Sequence, residues 1–110
     1  MKNFIFIGGS YGIGLSTINR LIDQEHHVYA YSRTKGELSP ESKFLHHTTF
    51  DVSKEDFCLE GLPSHCDGFV YFPGTINLRP FTSFNEEDFY KDYQLNFVSM
   101  VIILKRLFLF

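Results

Sequence analysis

Three glycines with the spacing G-x-x-x-G-x-G lie near the start of the chain. Gly8, Gly12 and Gly14 directly follow the apolar run NFIFI (3–7). Because glycine has no side chain, it permits a tight turn and a close approach of the backbone to a bound group. If a helix begins at this turn, its first N–H groups favour an anion such as phosphate. The segment therefore predicts an anion-binding turn, although not a P-loop, because no Lys-Ser or Lys-Thr follows the glycines.

Tyr31 and Lys35 lie four residues apart, and a tyrosine beside a lysine could exchange a proton with a substrate. Side chains at this spacing meet only on a helix. The run HVYAYS (27–32), however, has the composition of a strand and leads into a loop. We therefore predict that the two side chains diverge and do not act together. The sequence contains no other Tyr-x-x-x-Lys.

The side chains that could hold a metal ion lack the spacing of a metal site. The two cysteines lie eight residues apart and do not form the C-x-x-C motif of zinc and redox sites. Adjacent histidines on an extended chain point to opposite faces and so do not converge on one ion. We expect reduced, structural cysteines and no metal site. The residues considered are Cys58, Cys66, His26, His27, His46, His47 and His65.

Charge and hydropathy narrow the range of partners. The chain has 110 residues, a formal net charge of −3 and no basic run longer than the pair Lys105 and Arg106, unlike a nucleic-acid-binding surface. The first apolar run is too short for a signal peptide. The apolar segment 95–110 is interrupted by that basic pair and falls short of the roughly 18 residues of a membrane span. We expect a cytoplasmic protein without membrane or nucleic-acid partners.

Four runs rich in aromatic and β-branched residues predict strands at 3–7, 27–32, 43–50 and 68–72. The first and last are continuously apolar, which is typical of a parallel sheet covered on both faces by helices. The intervening segments 35–42 and 53–67 are short and broken by Gly and Pro, so we expect only a turn or two of helix in each.

Helical periodicity occurs in two places. The first lies between the first two strands and predicts a β-α-β unit. The second is a long apolar stripe that follows the fourth strand, with Asn85, Glu86 and Glu87 at its N-terminal end. The fold class is therefore α/β: a Rossmann-like, doubly wound parallel sheet of about four strands that ends within this long helix and forms one partial domain, residues 1–110. The apolar positions are Leu15, Ile18, Leu21 and Ile22 in the first helix, and Phe89, Tyr93, Phe97, Met100, Val101, Leu104 and Leu107 in the second.

In a doubly wound sheet, a glycine-rich turn between the first strand and the first helix is where a dinucleotide binds. Gly8 would allow the tight turn, Gly12 would let the backbone approach the pyrophosphate, and Gly14 would let the helix pack close to the sheet. The other predicted cofactor-binding positions in this loop are Ser10, Tyr11 and Ile13. The alternative is a glycine-rich turn without a ligand.

The end of the second strand indicates which dinucleotide is preferred. An acidic residue there favours NAD, and an arginine favours NADP. The strand ends with Tyr31, Ser32, Arg33 and Thr34 and offers no carboxylate. Arg33 with Ser32 could hold a 2′-phosphate, which predicts a preference for NADP(H) over NAD(H). The alternative is that Arg33 is a solvated surface charge.

Several motifs in this order resemble the short-chain dehydrogenase/reductase family. They are the G-x-x-x-G-I-G turn after the first strand, Asp51-Val52 after the third strand, the segment FVYFPG (69–74), and Leu95-Asn96-Phe97 in the long helix. Two departures are present: Ile7 stands in place of the family's usual Thr, and residues 71–73, Tyr-Phe-Pro, stand in place of Asn-Asn-Ala. These departures affect the expected local architecture of the central strand and its loop rather than the fold.

The resemblance implies roles for individual residues. Asp51, followed by Val52, would contact the adenine amino group, and Gly74 matches the family's glycine beside the cofactor. Asn96 matches the catalytic Asn, which holds a water in the proton relay. Alternatives remain: Asp51 with Ser53 could only cap a turn, and Asn96, as a buried amide, could only bond a neighbouring strand.

The resemblance also implies an activity, namely hydride transfer between NADP(H) and a small carbonyl or alcohol substrate. This chain would supply the cofactor-binding part, because the family's catalytic Ser, Tyr and Lys have no counterpart among its 110 residues. We expect the chain alone to be inactive and the full-length form to be a homo-oligomer. The alternatives are a non-catalytic dinucleotide-binding or sensing module and an α/β interaction domain without nucleotide.

Overall fold

A four-stranded parallel sheet forms the first part of the protein. The computed structural model describes residues 1–39, 41–53, 59–74 and 80–107. The strands are β1 (Asn3–Ile7), β2 (His27–Ser32), β3 (Leu45–Thr49) and β4 (Gly68–Tyr71), in the spatial order β3-β2-β1-β4. All three pairings are parallel. The predicted parallel α/β architecture is thereby confirmed.

The strand bounds follow the predicted apolar runs. Those of β1 and β2 coincide with the predicted runs, whereas β3 and β4 are shorter than predicted. The central strand β1 pairs on both sides, so that Ile5 lies between Tyr29 of β2 and Phe69 of β4. Its residues Ile5, Phe6 and Ile7 are buried, which explains its continuous apolar sequence.

Helix α1 (Gly12–Asp23) connects β1 to β2 and covers one face of the sheet. Ile18 and Ile22 are buried, and Leu15 and Leu21 pack partly buried against the same core, as their helical spacing predicts. After the helix, Glu25 adopts a positive φ of 64°, which turns the chain back into β2. The other buried members of this core are Phe6, Val28, Ala30 and Leu38.

The chain divides into two compact units, Met1–Phe72 and Pro73–Phe110. In the second unit a 3₁₀ turn (Phe81–Ser83) precedes helix α2 (Glu86–Tyr93), and helix α3 (Ser99–Leu107) follows a π-helical turn (Gln94–Val98). The Asn85 side chain accepts a hydrogen bond from the backbone of Asp88, whose carboxylate accepts one from the Asn85 backbone. This capping box explains why the helix begins where the sequence predicts.

The apolar stripe predicted for the long helix is largely exposed. Phe89, Tyr93, Phe97 and Val101 are all exposed in the structure. The buried residues of α3 are Ser99, Ile103 and Leu107, so Leu107 is the one member of the predicted stripe in α3 that is buried. The periodicity of the sequence therefore indicated a helix correctly but not which of its faces is covered. In the part of the chain that the structure describes, no helix is both long and apolar enough to cross a membrane.

Two predictions concern the loops and the cysteines. Residues 35–39 and 41–42 contain no helix. The predicted turn in 53–67 falls partly on residues 54–58, which include Cys58 and lie outside the described residues.

Cys66 is a free, half-buried thiol whose Sγ donates to the Gly68 carbonyl at 3.1 Å. Burial raises the pKa of this thiol, consistent with an unreactive structural cysteine.

Candidate functional site

The glycine-rich loop lies at the carboxyl end of the central strand β1. Gly8, Gly9 and Gly12 have φ values of 89°, 101° and 61°, all in the region that favours glycine. The Gly8 N–H donates to the Tyr31 carbonyl of β2 at 2.7 Å, which holds the start of the loop against the neighbouring strand. The loop therefore makes the tight strand-to-helix turn that the sequence predicts.

The glycines of this loop differ in the space around them. A Cβ at Gly14 would lie 2.6 Å from the Gly9 Cα and 3.2 Å from the ring of Phe72, so Gly14 is needed for close packing. A Cβ at Gly9 would lie 2.7 Å from Ile18 of α1, a constraint that the motif spacing did not indicate. Among the described residues, a Cβ at Gly12 would meet no atom within 4 Å, so the side of Gly12 on which a side chain would lie is open.

The N-terminus of α1 has no side-chain cap. Tyr11 occupies the N-cap position in an extended conformation, and no acidic residue lies in the first turn. The Tyr11 and Ile13 side chains are 60% and 80% exposed. The first N–H groups of a helix lack intrahelical acceptors and carry its partial positive charge. This end of α1 therefore suits an anion.

The loop also lies at a topological switch point. From β1 the chain passes through α1 to β2 on one side, whereas β4 lies on the other side of β1. In open α/β sheets, ligands bind in the crevice beyond the carboxyl ends of the strands at such a point. At this edge of the sheet lie the glycine loop, the N-terminal end of α1 and the C-terminal end of β2.

A polar network joins the glycine loop to the end of β2. The hydroxyls of Ser10 and Ser32 lie 2.8 Å apart, and both donate to the Thr34 carbonyl, at 2.7 Å and 2.6 Å. The Nε2 atom of His47, on β3, lies 2.8 Å from the Ser32 hydroxyl. The sequence predicted Ser10 and Ser32 at this site but missed His47, because only the register of β2 and β3 brings it there.

The loop that follows β2 packs onto the glycine loop. The Glu37 N–H donates to the Ser10 carbonyl at 3.2 Å. Gly36, with φ 55°, lies so close that a Cβ there would be 2.8 Å from both Ser10 and Tyr11. Arg33 is exposed and has no ion-pair partner among the residues that the structure describes. The Arg33 side chain is therefore accessible to solvent at the end of β2.

Solved structures share this arrangement of strands and helices. A short-chain dehydrogenase family protein from Francisella tularensis superimposes with a TM-score of 0.79 at 22% sequence identity, over 96% of this chain and 44% of that chain. Serine dehydrogenase from Escherichia coli has a TM-score of 0.78 at 23% identity, over 94% and 53% of the two chains. A short-chain dehydrogenase from Leptospira borgpetersenii has a TM-score of 0.81 at 16% identity, over 94% and 43%. The fold is that of the short-chain dehydrogenases.

This similarity covers only part of those structures. The chain spans between 43% and 53% of the length of the three dehydrogenases named. No family model matches the sequence, and no curated protein matches it at a significant level. The likeness to the short-chain dehydrogenases is therefore a likeness of fold, seen in the path of the backbone.

Residues 71–73, Tyr-Phe-Pro, stand at the end of β4 where the resemblance expects Asn-Asn-Ala, and Phe72 makes contacts that these amides would not. The Phe72 N–H donates to the Ile7 carbonyl at 2.9 Å, which extends the pairing of β4 with β1. The Phe72 ring packs 5.9 Å from that of Phe6 and lies against Gly14. An apolar contact thus supports the start of α1 in this departure from the family motif. Gly74, two residues later, is exposed.

The structure also places Asp51 and Asn96, the two other positions to which the family resemblance gives a role. The Asp51 Oδ1 atom accepts hydrogen bonds from the Ser53 N–H and hydroxyl, at 2.9 Å and 2.6 Å, so Asp51 does close a turn, in which Val52 is half-buried. Asn96 lies in the π-helical turn of the second unit and is exposed, whereas the sequence predicted a buried amide. Its helix bulges at this point, and such π-bulges are frequent at functional sites.

Tyr31 and Lys35 do not share a helix. Tyr31 lies on β2, and its buried hydroxyl donates to the Glu60 carbonyl at 2.6 Å. Burial, with a smaller contribution from Tyr29, raises the pKa of Tyr31 to about 12. Lys35 is exposed on the following loop. Tyr31 is therefore a structural hydroxyl and a poor proton donor near neutral pH.

The histidines make separate contacts. His27 Nδ1 and His46 Nε2 lie 3.0 Å apart on one face of the sheet, whereas His47 joins the serine network. His65 pairs with Asp67 at 2.9 Å. Within the described ranges, no three side chains of His, Cys, Asp or Glu come together as metal ligands do.

Proposed function

We propose that this chain supplies the dinucleotide-binding part of an oxidoreductase that transfers hydride between NADP(H) and a small carbonyl or alcohol. The observation that carries the proposal is the glycine loop, with its uncapped helix, at the switch point of a parallel sheet. A nicotinamide dinucleotide as the cofactor class is supported by structural neighbours: the Leptospira borgpetersenii dehydrogenase has bound NAD+, and 4-hydroxyisoleucine dehydrogenase is complexed with NADH.

The residues of the loop fit a pyrophosphate. Among the described residues, the side of Gly12 on which a side chain would lie is open, and the helix end behind it carries no competing acidic side chain. In our proposal the pyrophosphate lies over Gly12 and accepts hydrogen bonds from the first N–H groups of α1. Ser10, Tyr11 and Ile13 border this position, and Gly8 and Gly14 shape the turn beneath it.

The end of β2 fits an adenosine with a 2′-phosphate. Ser32 ends the strand, Arg33 is exposed beside it, and no carboxylate lies at the position that selects NAD. A charge-assisted hydrogen bond from Arg33 would favour the phosphorylated ribose. We therefore propose that NADP(H) is preferred to NAD(H).

The further roles rest on the family resemblance. We propose that Asp51 and Val52 border the adenine, that Gly74, which follows β4, lies beside the cofactor, and that Asn96 holds a water in the proton relay. When bound, the nicotinamide ring supplies or accepts the hydride. A cytoplasmic location, a small carbonyl or alcohol substrate and a homo-oligomeric full-length form belong to the same proposal.

Fluorescence titration with NADPH tests the proposed function. We compare the wild type with Gly12→Ala and with Gly61→Ala, a matched control. Gly61 also has a positive φ, of 68°, and within the described part of the chain a Cβ there would approach Thr48 alone, at 4.0 Å. Both variants therefore carry similar backbone strain, but only the Gly12 side chain would enter the space assigned to the pyrophosphate.

We expect the wild type and Gly61→Ala to bind NADPH with similar affinity. Gly12→Ala should bind NADPH at least about tenfold more weakly than the wild type, as expected for a blocked phosphate contact. Equal affinity in all three proteins would remove the glycine loop from the cofactor site. Lack of NADPH binding by a folded wild-type chain would reject the proposed function and favour an interaction domain.

A further inference from the structure

His47 lies at the predicted 2′ position although no sequence motif indicates it. In the register of β2 and β3, His47 pairs with Ala30, and Ser32 lies two residues further along the same face. The small side chain of Ala30 leaves room for the imidazole to reach Ser32, at 2.8 Å. The neighbouring His46 points to the other face, where it stacks on Tyr29 and contacts His27.

The hydroxyl protons of this network determine the direction of its hydrogen bonds. Ser10 and Ser32 have one proton each, and the Thr34 carbonyl is within 2.7 Å of both hydroxyls. When Ser32 donates to this carbonyl, its oxygen is left as an acceptor for His47. In that arrangement Nε2 of His47 carries a proton and donates to Ser32. A ligand oxygen that replaces the Thr34 carbonyl could receive the Ser32 proton while His47 continues to donate to Ser32.

Among the described residues, the charged groups nearest to His47 in the fold come from three places. The loop after β2 contributes Arg33, Lys35 and Glu37, all exposed, and Asp51 follows β3 but closes its own turn with Ser53. On its own strand, His46 faces away. Burial and then Lys35 lower the pKa of His47, and the Thr34 carbonyl opposes them. In the free protein His47 is therefore neutral at neutral pH, and a nearby dianion would favour its protonated form.

We propose that His47 acts through Ser32 as a specificity-determining residue that favours a cofactor with a 2′-phosphate and takes up a proton from solvent when that phosphate binds. Arg33 supplies a permanent charge at the same position, whereas His47 supplies one that appears only with the ligand. This inference rests on the proposed function, because it assumes that a dinucleotide places its ribose at the end of β2.

The test measures dissociation constants for NADPH and NADH at about pH 8 and about pH 6, the range in which histidine titrates. It uses the wild type, His47→Gln and His46→Gln. Glutamine keeps an N–H donor but cannot take up a proton. His46→Gln is the matched control, because His46 is the adjacent residue on the opposite face of the same strand. The affinity for NADH, which has no 2′-phosphate, measures the pH effects that do not involve the 2′ position.

The quantity compared is the NADPH preference, the affinity for NADPH divided by that for NADH. When the pH is lowered from about 8 to about 6, the NADPH preference should increase in the wild type and in His46→Gln. This increase should be about three- to tenfold larger than in His47→Gln, as expected for one linked proton. Protonation of the 2′-phosphate itself affects all three proteins equally and cancels.

A second readout is the His47 imidazole resonance, followed by NMR over the same pH range. NADPH should raise the pKa of His47, whereas NADH should leave it unchanged. If NADPH binds but the three proteins show the same pH dependence, the inference about His47 is wrong and the proposed function stands. If neither dinucleotide binds to the folded wild type, both are rejected.

Discussion

The Cα of Gly9 lies 2.6 Å from the point that a Cβ on Gly14 would occupy. The glycine loop and the first turn of α1 are therefore in backbone contact, with the Phe72 ring closing the other side at 3.2 Å. Gly12 lies two residues before Gly14, but a side chain at Gly12 would enter open space, whereas one at Gly14 would clash with the loop. Their substitutions should separate folding from binding.

Gly14→Ala should lower the free energy of unfolding. Overpacking costs about 1–3 kcal/mol, and a Cβ only 2.6 Å from backbone places Gly14→Ala at the upper end of that range. The better helix propensity of alanine recovers about 1 kcal/mol, which leaves a net loss of about 2 kcal/mol. Urea denaturation followed by circular dichroism measures the difference. Gly12→Ala is the control and should cost only about 1 kcal/mol, from its positive φ. A Gly14→Ala protein as stable as the wild type would show that the loop shifts freely.

Arg33→Asp should weaken NADPH binding more than NADH binding, by about 1–3 kcal/mol, which is the strength of a hydrogen bond to a charged group. The reason is that the exposed Arg33 guanidinium lies beside the end of β2, where the 2′-phosphate is proposed. Fluorescence titration with each cofactor gives the two affinities. Arg20→Asp, an exposed change of the same charge in the last turn of α1, is the control. Equal losses for both cofactors would exclude Arg33 from the 2′ position.

Asp67 should make the fold sensitive to acid. Its Oδ2 atom accepts the Asn3 N–H at 2.9 Å, and its Oδ1 atom pairs with His65 at 2.9 Å. The Asn3 hydrogen bond, followed by His65, lowers the pKa of Asp67 below its usual 3.8. Because the folded pKa lies below the unfolded one, the contribution to stability is complete above pH 3.8 and is lost as the pH falls through the folded pKa.

The Asp67 prediction is tested by urea denaturation between about pH 5 and about pH 2, with Asp67→Asn and Asp23→Asn compared to the wild type. Asp67→Asn should lose less stability on acidification than the wild type. Asp23→Asn, at the exposed end of α1, should behave like the wild type. The prediction would be contradicted by parallel acid profiles for all three proteins.

The 110-residue chain should not reduce aldehydes or ketones with NADPH. Its one Tyr-x-x-x-Lys is split between a strand and a loop, and the pKa of Tyr31, at about 12, disfavours proton transfer near neutral pH. A spectrophotometric assay of NADPH oxidation with a panel of carbonyl compounds measures this, and Tyr31→Phe gives the background. Turnover by the purified wild type that Tyr31→Phe abolishes would overturn the structural role assigned to Tyr31.

Local sequence determined much of the fold. The apolar run before Gly8, the spacing of Ile18 and Ile22 and the cap at Asn85 each depend on residues a few positions apart, so their chemistry is readable without the tertiary structure. The loop glycines belong to the same class, because the need for a positive φ at Gly8 and Gly12 is a property of the turn itself. The separation of Tyr31 from Lys35 followed from the strand-like composition around Tyr31.

The tertiary structure decided which distant residues meet and which faces are covered. His47 reaches Ser32 only because β2 and β3 pair in one register, and a shift of one residue would turn His47 to the other face. The exposure of Asn96 and Phe97 likewise depends on a π-helical turn and on what packs against each side of the helix. Periodicity reports that a helix has an apolar face, whereas burial depends on neighbours that the local sequence does not specify.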